Sequence, residues 1–172
     1  WYYFRSAKLS AAQRAERAHL FGSARDGLQR LKPYRWVAGP QSLVEIPVTT
    51  MPLARVPIHL SYVLYLAGPS PAAAYQYFSN ALRLCKLRGV QPSILLHPLD
   101  FLGADDVDSL QFFPGMHLTG ARKRETVVQC LRMFSERFDV VPLREHAAAL
   151  SEHTNLPTRS PQRTAIRQEV SA

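Results

Sequence analysis

Apolar residues recur every three or four positions in two long stretches of this chain, which is the spacing of an amphipathic helix. The first stretch opens with Pro71, which suits a helix start, and stops at Gly89, which suits a helix end. The apolar faces consist of Tyr75, Phe78, Leu82 and Cys85 in the first stretch and of Val127, Leu131, Phe134 and Phe138 in the second. Two shorter helices are also predicted, one of them behind the capping-box pattern Ser10–Gln13. The four predicted helices cover residues 11–21, 71–88, 121–137 and 144–150.

Short runs of apolar and β-branched residues lie between these helices and predict strands. The predicted strands are Leu43–Thr50, Ser93–His97 and Asp139–Leu143. Residues 22–42 are predicted to be irregular, and the apolar, proline-bearing stretch 51–66 receives no assignment. From residue 43 onward strands and helices alternate, which is typical of parallel architecture. Three strands are fewer than the roughly eight of a closed barrel. The predicted fold class is therefore α/β, an incomplete (β/α) barrel that forms the C-terminal portion of a larger one.

Composition and charge divide the chain into three segments. Of 172 residues, 47% are hydrophobic, enough for a packed core, yet no apolar run approaches the roughly 20 residues of a membrane span. Residues 1–36 hold eight Lys or Arg against two acidic residues and so carry most of the net charge of +8. The predicted segments are a basic helix with irregular chain (1–42), the α/β part (43–150) and a disordered tail (151–172). Because the sequence starts at Trp1 with no signal-peptide pattern, we expect the natural start to lie upstream.

His97 is the strongest candidate for chemistry. It ends an apolar predicted strand, and β/α barrels build active sites at that end of their strands. Asp100, three residues later, is placed to orient or charge-stabilise its imidazole. The alternative is a histidine that caps a strand end with an ordinary hydrogen bond. The sequence contains no P-loop, dinucleotide-binding or nucleophile-elbow motif, and no two histidines have the spacing of a helical metal site.

Three other groups of residues are interpreted as structural. The acidic cluster Asp105, Asp106 and Asp108 lacks calcium-loop spacing and is interpreted as a solvated loop. Cys85 and Cys130 lie on or beside apolar helix faces and are expected to be buried thiols rather than nucleophiles. Two cysteines are too few for a disulfide scaffold. The aromatic run Trp1–Phe4 is expected to pack on an upstream domain, with membrane or nucleic-acid contact as the alternative.

Five short motifs, in their order and spacing, make residues 33–150 resemble the polysaccharide deacetylase family, carbohydrate esterase family 4 with its chitooligosaccharide-deacetylase homology domain. The motifs are Pro33-Tyr34-Arg35, the Leu-Val-Glu-Ile-Pro-Val run Leu43–Val48, the helix 71–88, the Leu-Leu-His-Pro run Leu95–Pro98 and the closing run Phe138–Leu143. Each motif is short, so their order along the chain carries the resemblance.

The resemblance implies a distorted (β/α) barrel whose C-terminal part is residues 43–150. It implies a divalent, zinc-like metal that polarises an acetamide carbonyl and activates water. Leu95-Leu96-His97 matches the late motif of the family, which makes His97 the general acid and places Leu95 in the acetyl pocket, with Asp100 also counted as substrate-binding. The motifs for the metal ligands and the general base have no match in this chain. We therefore expect this 172-residue chain to be inactive on its own.

Three functions remain open at this point. The first is the C-terminal portion of a metal-dependent deacetylase acting on an N-acetylated sugar, oligosaccharide or lipid-linked sugar. The second is a non-catalytic, degenerate deacetylase-like binding protein or truncated remnant. The third is a membrane-surface or nucleic-acid binder that uses residues 1–36, although no nucleic-acid motif favours the latter partner. The apolar stretch 51–67 and the basic segment would suit peripheral membrane contact, so the expected location is cytoplasmic or membrane-adjacent.

Overall fold

The computed structural model describes residues 29–110 and 115–161, and those from Leu31 onward belong to one compact unit. The helix predicted at residues 11–21 and the aromatic run Trp1–Phe4 lie outside the described residues. The helices are α1 (Leu60–Ala67), α2 (Pro71–Leu87), α3 (Gly120–Ser135) and α4 (Leu143–Glu152). The strands are β1 (Tyr34–Ala38), β2 (Gln41–Glu45) and β3 (Thr158–Arg159), and short 3₁₀ turns occupy Pro98–Asp100 and Asp108–Leu110.

Local sequence explains where the two long helices begin. The Ser70 hydroxyl accepts a hydrogen bond from the Ala73 amide at 3.3 Å, and Pro71 opens α2. Thr119 caps α3 in the same way through the Arg122 amide. After α2, Gly89 adopts a φ of +57°, which a residue without Cβ reaches at no steric cost. The helices predicted at residues 71–88, 121–137 and 144–150 are therefore confirmed, with bounds shifted by one to two residues.

The core lies between α1, α2 and α3. Its main cluster joins three faces, comprising Leu60, Val63, Leu64 and Ala67 of α1, Ala74, Phe78 and Leu82 of α2, and Val127, Cys130 and Phe134 of α3. A second cluster packs Ala81 and Cys85 of α2 against Met51, Ile58 and Val90. Leu131, assigned to the apolar face of α3 from sequence, is instead 38% exposed, and Cys130 takes the buried position beside it. The predicted apolar face of α3 is thus confirmed at Val127 and Phe134 and wrong at Leu131.

A small mixed sheet has the strand order β2-β1-β3. β1 and β2 form an antiparallel hairpin closed by Gly39 and Pro40, and β3 pairs parallel to β1. Gly39 has a φ of +60°, as a two-residue hairpin turn with glycine first requires. Residues 22–42 were expected to be irregular, so β1 was missed, and the segment boundary predicted at residue 42 falls inside the hairpin. The tail predicted from Ser151 instead begins with the end of α4 and with β3, whereas residues 162–172 lie outside the described residues.

The three predicted strands do not form as expected. Leu43–Thr50 contributes only its first three residues to β2, while Ser93–His97 and Asp139–Pro142 join no sheet among the described residues. Ser93 contacts the chain at Thr49, whose amide donates to the Ser93 carbonyl at 3.3 Å and whose hydroxyl accepts from the Ser93 amide at 2.8 Å. A run of β-formers becomes a strand only where a neighbour supplies a hydrogen-bonded ladder. Consequently the described residues form a three-stranded sheet with helices, and the incomplete barrel stays a prediction.

Much of the apolar stretch 51–67 belongs to the interior. Ile58, Leu60, Val63 and Leu64 are buried in the two clusters, whereas Leu53 and Tyr65 are exposed, so packing accounts for most but not all of its apolar character. In the part of the chain that the structure describes, no helix combines the length and the apolar character needed to cross a bilayer.

Candidate functional site

The turn that follows Leu96 brings His97 and Asp100 together. The Asp100 Oδ2 atom accepts a hydrogen bond from the His97 backbone amide at 2.7 Å, and the Asp100 amide donates to the His97 carbonyl at 2.9 Å. These bonds close the 3₁₀ turn Pro98–Asp100. The same carboxylate oxygen lies 3.7 Å from His97 Nδ1. The predicted pairing of the histidine with the aspartate three residues later is therefore present in the structure.

Ser61, in the first turn of α1, completes this group of side chains. Its hydroxyl donates to Asp100 Oδ1 at 2.6 Å and lies 3.1 Å from His97 Nδ1. The carboxylate is buried, whereas the His97 side chain is 47% exposed. The cluster therefore offers solvent one imidazole whose inner edge is held by a hydroxyl and a carboxylate.

Lys123 supports the turn from the interior side. This lysine of α3 is buried, and its ammonium donates to the Leu99 carbonyl at 2.9 Å and to the Met116 sulfur at 3.0 Å. Burial lowers the pKa of Lys123, while the charge of Asp100 acts in the opposite direction. The bond to Leu99 fixes the middle of the turn, so α3 restrains the backbone between His97 and Asp100.

A second histidine lies next to the first. The rings of His59 and His97 have centroids 6.4 Å apart at an interplanar angle of 84°. His59 Nδ1 is buried and has no hydrogen-bond partner among the described residues. Burial lowers the pKa of His59, and the neighbouring His97 lowers it further. A neutral ring beside His97 is the form that this environment favours.

The hydrogen bonds define which chemistry the cluster can perform. In a Ser-His-Asp triad the imidazole lies between the hydroxyl and the carboxylate, so that it removes the serine proton. Here the Ser61 proton points at Asp100 Oδ1 instead, and the serine is not activated as a nucleophile. The exposed imidazole is the group that remains available for proton transfer. The arrangement therefore fits acid–base chemistry at His97.

The other predicted site residues differ in their placement. Leu95 is 41% exposed two residues before His97, so its side chain is accessible to a ligand. The carboxylate of Asp100 faces Ser61 and the His97 amide rather than solvent, so it is placed to hold His97 and not to touch a substrate. Sequence reasoning had counted Asp100 as substrate-binding. The orienting role that it also assigned to Asp100 is the one that the contacts fit.

The acidic cluster has structural contacts. Asp105 Oδ1 accepts from the Gly120 amide at 2.6 Å at the start of α3, and Asp106 Oδ2 accepts from the Gly103 amide at 2.8 Å. Among the described residues, no three His, Cys, Asp or Glu side chains converge to hold a metal ion. The metal that the family resemblance implies therefore has no fitting ligand set in this part of the chain, and no step below passes through it.

Both cysteines are buried and unreactive. Cys85 and Cys130 are fully buried free thiols, as the sequence predicted. Burial raises the pKa of Cys85 to about 11 and that of Cys130 to about 12. Because the thiolate is the reactive form, neither residue is a nucleophile in the folded chain at neutral pH.

An open groove of about 480 Å³ lies beside the run of chain that precedes His97. Ser93, Ile94 and Leu96 form one wall, and the C-terminal part of α3 with the start of α4 forms the other. Val140 and Val141 line it and are about half exposed. Polar groups at its edge include Arg137 and His146, and the His146 ring lies 3.2 Å from the Gln91 side-chain oxygen.

Sequence reasoning missed Ser61, His59 and Lys123. Ser61 and His59 lie in the stretch 51–66, which has no predicted element, and Lys123 carries no prediction of its own. The available signal was the position of Lys123 in a helical repeat with Val127 and Cys130, at i+4 and i+7, which places it on the buried face. The sequence matches no protein-family model, and no curated protein or solved structure is significantly similar to it.

Proposed function

We propose that this chain is the C-terminal portion of a metal-dependent sugar N-deacetylase and that His97 is its general acid. The observation that carries the proposal is the half-exposed His97 imidazole, whose Nδ1 atom faces the Ser61 hydroxyl and the Asp100 carboxylate. A general acid needs an accessible, fixed nitrogen that can release a proton to a departing amine. The order of the five motifs supports the same assignment.

The proposed step uses residues of this chain alone. Hydrolysis of an acetamido group ends when the C–N bond breaks and the sugar nitrogen leaves as an amine. His97, as imidazolium, gives its outer proton to that nitrogen and becomes neutral, while the buried Asp100 carboxylate stabilises the charged form through Ser61. Leu95, exposed beside His97, supplies an apolar surface for the acetyl methyl group.

The metal and the general base belong to a part of the enzyme other than the described residues. The substrate class is an N-acetylated polysaccharide, oligosaccharide or lipid-linked sugar. The proposed location is cytoplasmic or membrane-adjacent. Since much of the stretch 51–67 is packed in the core, membrane contact would rest on the basic segment 1–36, of which residues 1–28 lie outside the described residues.

The test compares acetate release by the natural protein that contains this sequence and by the 172-residue chain alone. We expect metal-dependent release from N-acetylated sugars by the former and none by the latter. His97→Gln lowers kcat about 10²- to 10⁴-fold, the usual contribution of a general acid. His146→Gln is the matched control, because His146 bonds Gln91 and not the His97 cluster, and it leaves kcat unchanged.

Three results would overturn the proposal. The first is acetate release by the 172-residue chain, which would mean that the metal site and base lie within it. The second is an unchanged rate in His97→Gln, which would mean that His97 is not the general acid. The third is no release by the natural protein, which would favour the non-catalytic binding protein.

A further inference from the structure

Ser61 contacts both partners of the proposed acid, and its hydroxyl has only one proton to donate. The Ser61 oxygen lies 2.6 Å from Asp100 Oδ1, and two oxygens this close require a proton between them. An ionised carboxylate accepts hydrogen bonds and donates none. The Ser61 proton is therefore directed at Asp100.

The Ser61 oxygen influences which nitrogen of the imidazole carries the proton. With its proton committed to Asp100, the Ser61 oxygen is an acceptor toward His97 Nδ1 at 3.1 Å. A bond between two acceptors is repulsive, so the Ser61 contact favours a proton on Nδ1, whereas the Asp100 backbone N–H, which faces the His97 side chain in the capping box of this turn, favours an unprotonated Nδ1. The partner of one ring nitrogen decides which nitrogen is protonated in a neutral histidine. No described residue hydrogen-bonds the other nitrogen, Nε2, on this 47% exposed side chain.

We propose that Ser61 is a positioning residue that holds His97 as the Nδ1–H tautomer, so that Nε2 is the nitrogen that exchanges a proton with the substrate amine. The last clause rests on the proposed function, whereas the tautomer does not. In the transfer, the Nε2 proton of the imidazolium moves to the leaving nitrogen and Nδ1 keeps its own. The ring returns to the tautomer that Ser61 stabilises.

The surroundings keep Ser61 in this role. Its backbone belongs to the first turn of α1, whose neighbours Leu60 and Val63 are buried in the main cluster. The other oxygen of Asp100 is occupied by the His97 amide, so the carboxylate cannot rotate away without breaking that bond. Lys123 fixes the Leu99 carbonyl between the two residues. Ser61 is thus held by α1, and the turn that carries both His97 and Asp100 is held by α3.

The test is ¹⁵N nuclear magnetic resonance of the histidine rings in the 172-residue chain, above the usual histidine pKa of about 6.5. We expect His97 to show a protonated Nδ1 and an unprotonated Nε2. In Ser61→Ala the tautomer ratio shifts about two- to tenfold toward Nε2–H, the factor for losing one hydrogen bond. Ser61→Thr keeps the hydroxyl and restores the ratio. Ser135→Ala, an exposed serine on α3, is the matched control and leaves it unchanged.

Two outcomes contradict the inference. A wild-type His97 protonated on Nε2 removes the proposed geometry, and an unchanged ratio in Ser61→Ala assigns the tautomer to Asp100 alone. The His146 ring serves as an internal reference in every spectrum, since its partner is Gln91. If the tautomer result holds while the natural protein releases no acetate, the function fails and the role of Ser61 stands.

Discussion

At the scale of single residues, the pair His59 and His97 combines one enclosed ring with one accessible ring. Their centroids are 6.4 Å apart, yet only His97 has hydroxyl and carboxylate neighbours within bonding distance. Burial lowers the pKa of His59, and the proximity of His97 adds to that effect. The enclosed His59 imidazole is therefore expected to take up a proton only at a pH below its ordinary range.

The lowered pKa of His59 can be measured by titration. We expect the protonation midpoint of His59 to lie below its ordinary value of 6.5. The unfolded chain then takes up this proton first on acidification, so stability falls as pH drops from about 6.5 through the lower folded value. His97→Gln raises the midpoint of His59 because it removes the neighbouring positive charge. His146→Gln should leave that midpoint in place, and a His59 midpoint at or above 6.5 would contradict the assignment.

At the scale of elements, α3 contacts the His97 turn through the buried Lys123 and, at the end of the turn, through Arg124, which donates to the Phe101 carbonyl. The ammonium of Lys123 bonds the Leu99 carbonyl and the Met116 sulfur. A charged group in this position is costly unless it is well hydrogen-bonded. Burial accordingly lowers the pKa of Lys123 below its ordinary value of 10.5.

The pH dependence of stability follows from that shift. Between the lowered folded pKa and about 10.4, the unfolded chain binds the proton that folded Lys123 has released, so stability rises with pH. Lys123→Met lacks this contribution. We expect the free energy of unfolding, measured in urea, to rise more for the wild type than for the variant between about pH 7 and about pH 10. The difference is at most about 1.4 kcal/mol per pH unit. Lys86→Met, an exposed lysine at the end of α2, is the control, because it removes a lysine that lies outside the core.

Helices were predictable from this sequence because their hydrogen bonds are internal to each segment. The caps at Ser70 and Thr119 and the glycine at position 89 fix α2 and α3 locally. Strands depend on partners that the sequence does not identify. Ser93–His97 has the composition of a strand but joins no sheet among the described residues. The first strand of the hairpin around Gly39 was missed since it lies in the stretch 22–42, where glycine, proline and charged residues indicate irregular chain.

At the scale of the whole molecule, the candidate site joins parts of the chain that are distant in sequence. Ser61 comes from α1, His97 and Asp100 from the turn before residue 101, and Lys123 from α3. His97 and Asp100 were found because their spacing is local. Ser61 and Lys123 depend on how α1 and α3 pack around the turn, which only tertiary structure reveals. The deacetylase function, the missing metal site and the barrel stay predictions.

The labelling rates of the two buried thiols report how the two core clusters open. Cys130 belongs to the main cluster and Cys85 to the second one, and α2 contributes side chains to both. Since each thiol is shielded, a thiol-specific reagent can modify it only during an opening event. Because one helix is shared, we expect both cysteines to be modified at the same rate, relative to their reactivity in urea. Mass spectrometry of the modified peptides measures this, and earlier labelling of one cysteine would mean that the clusters open independently.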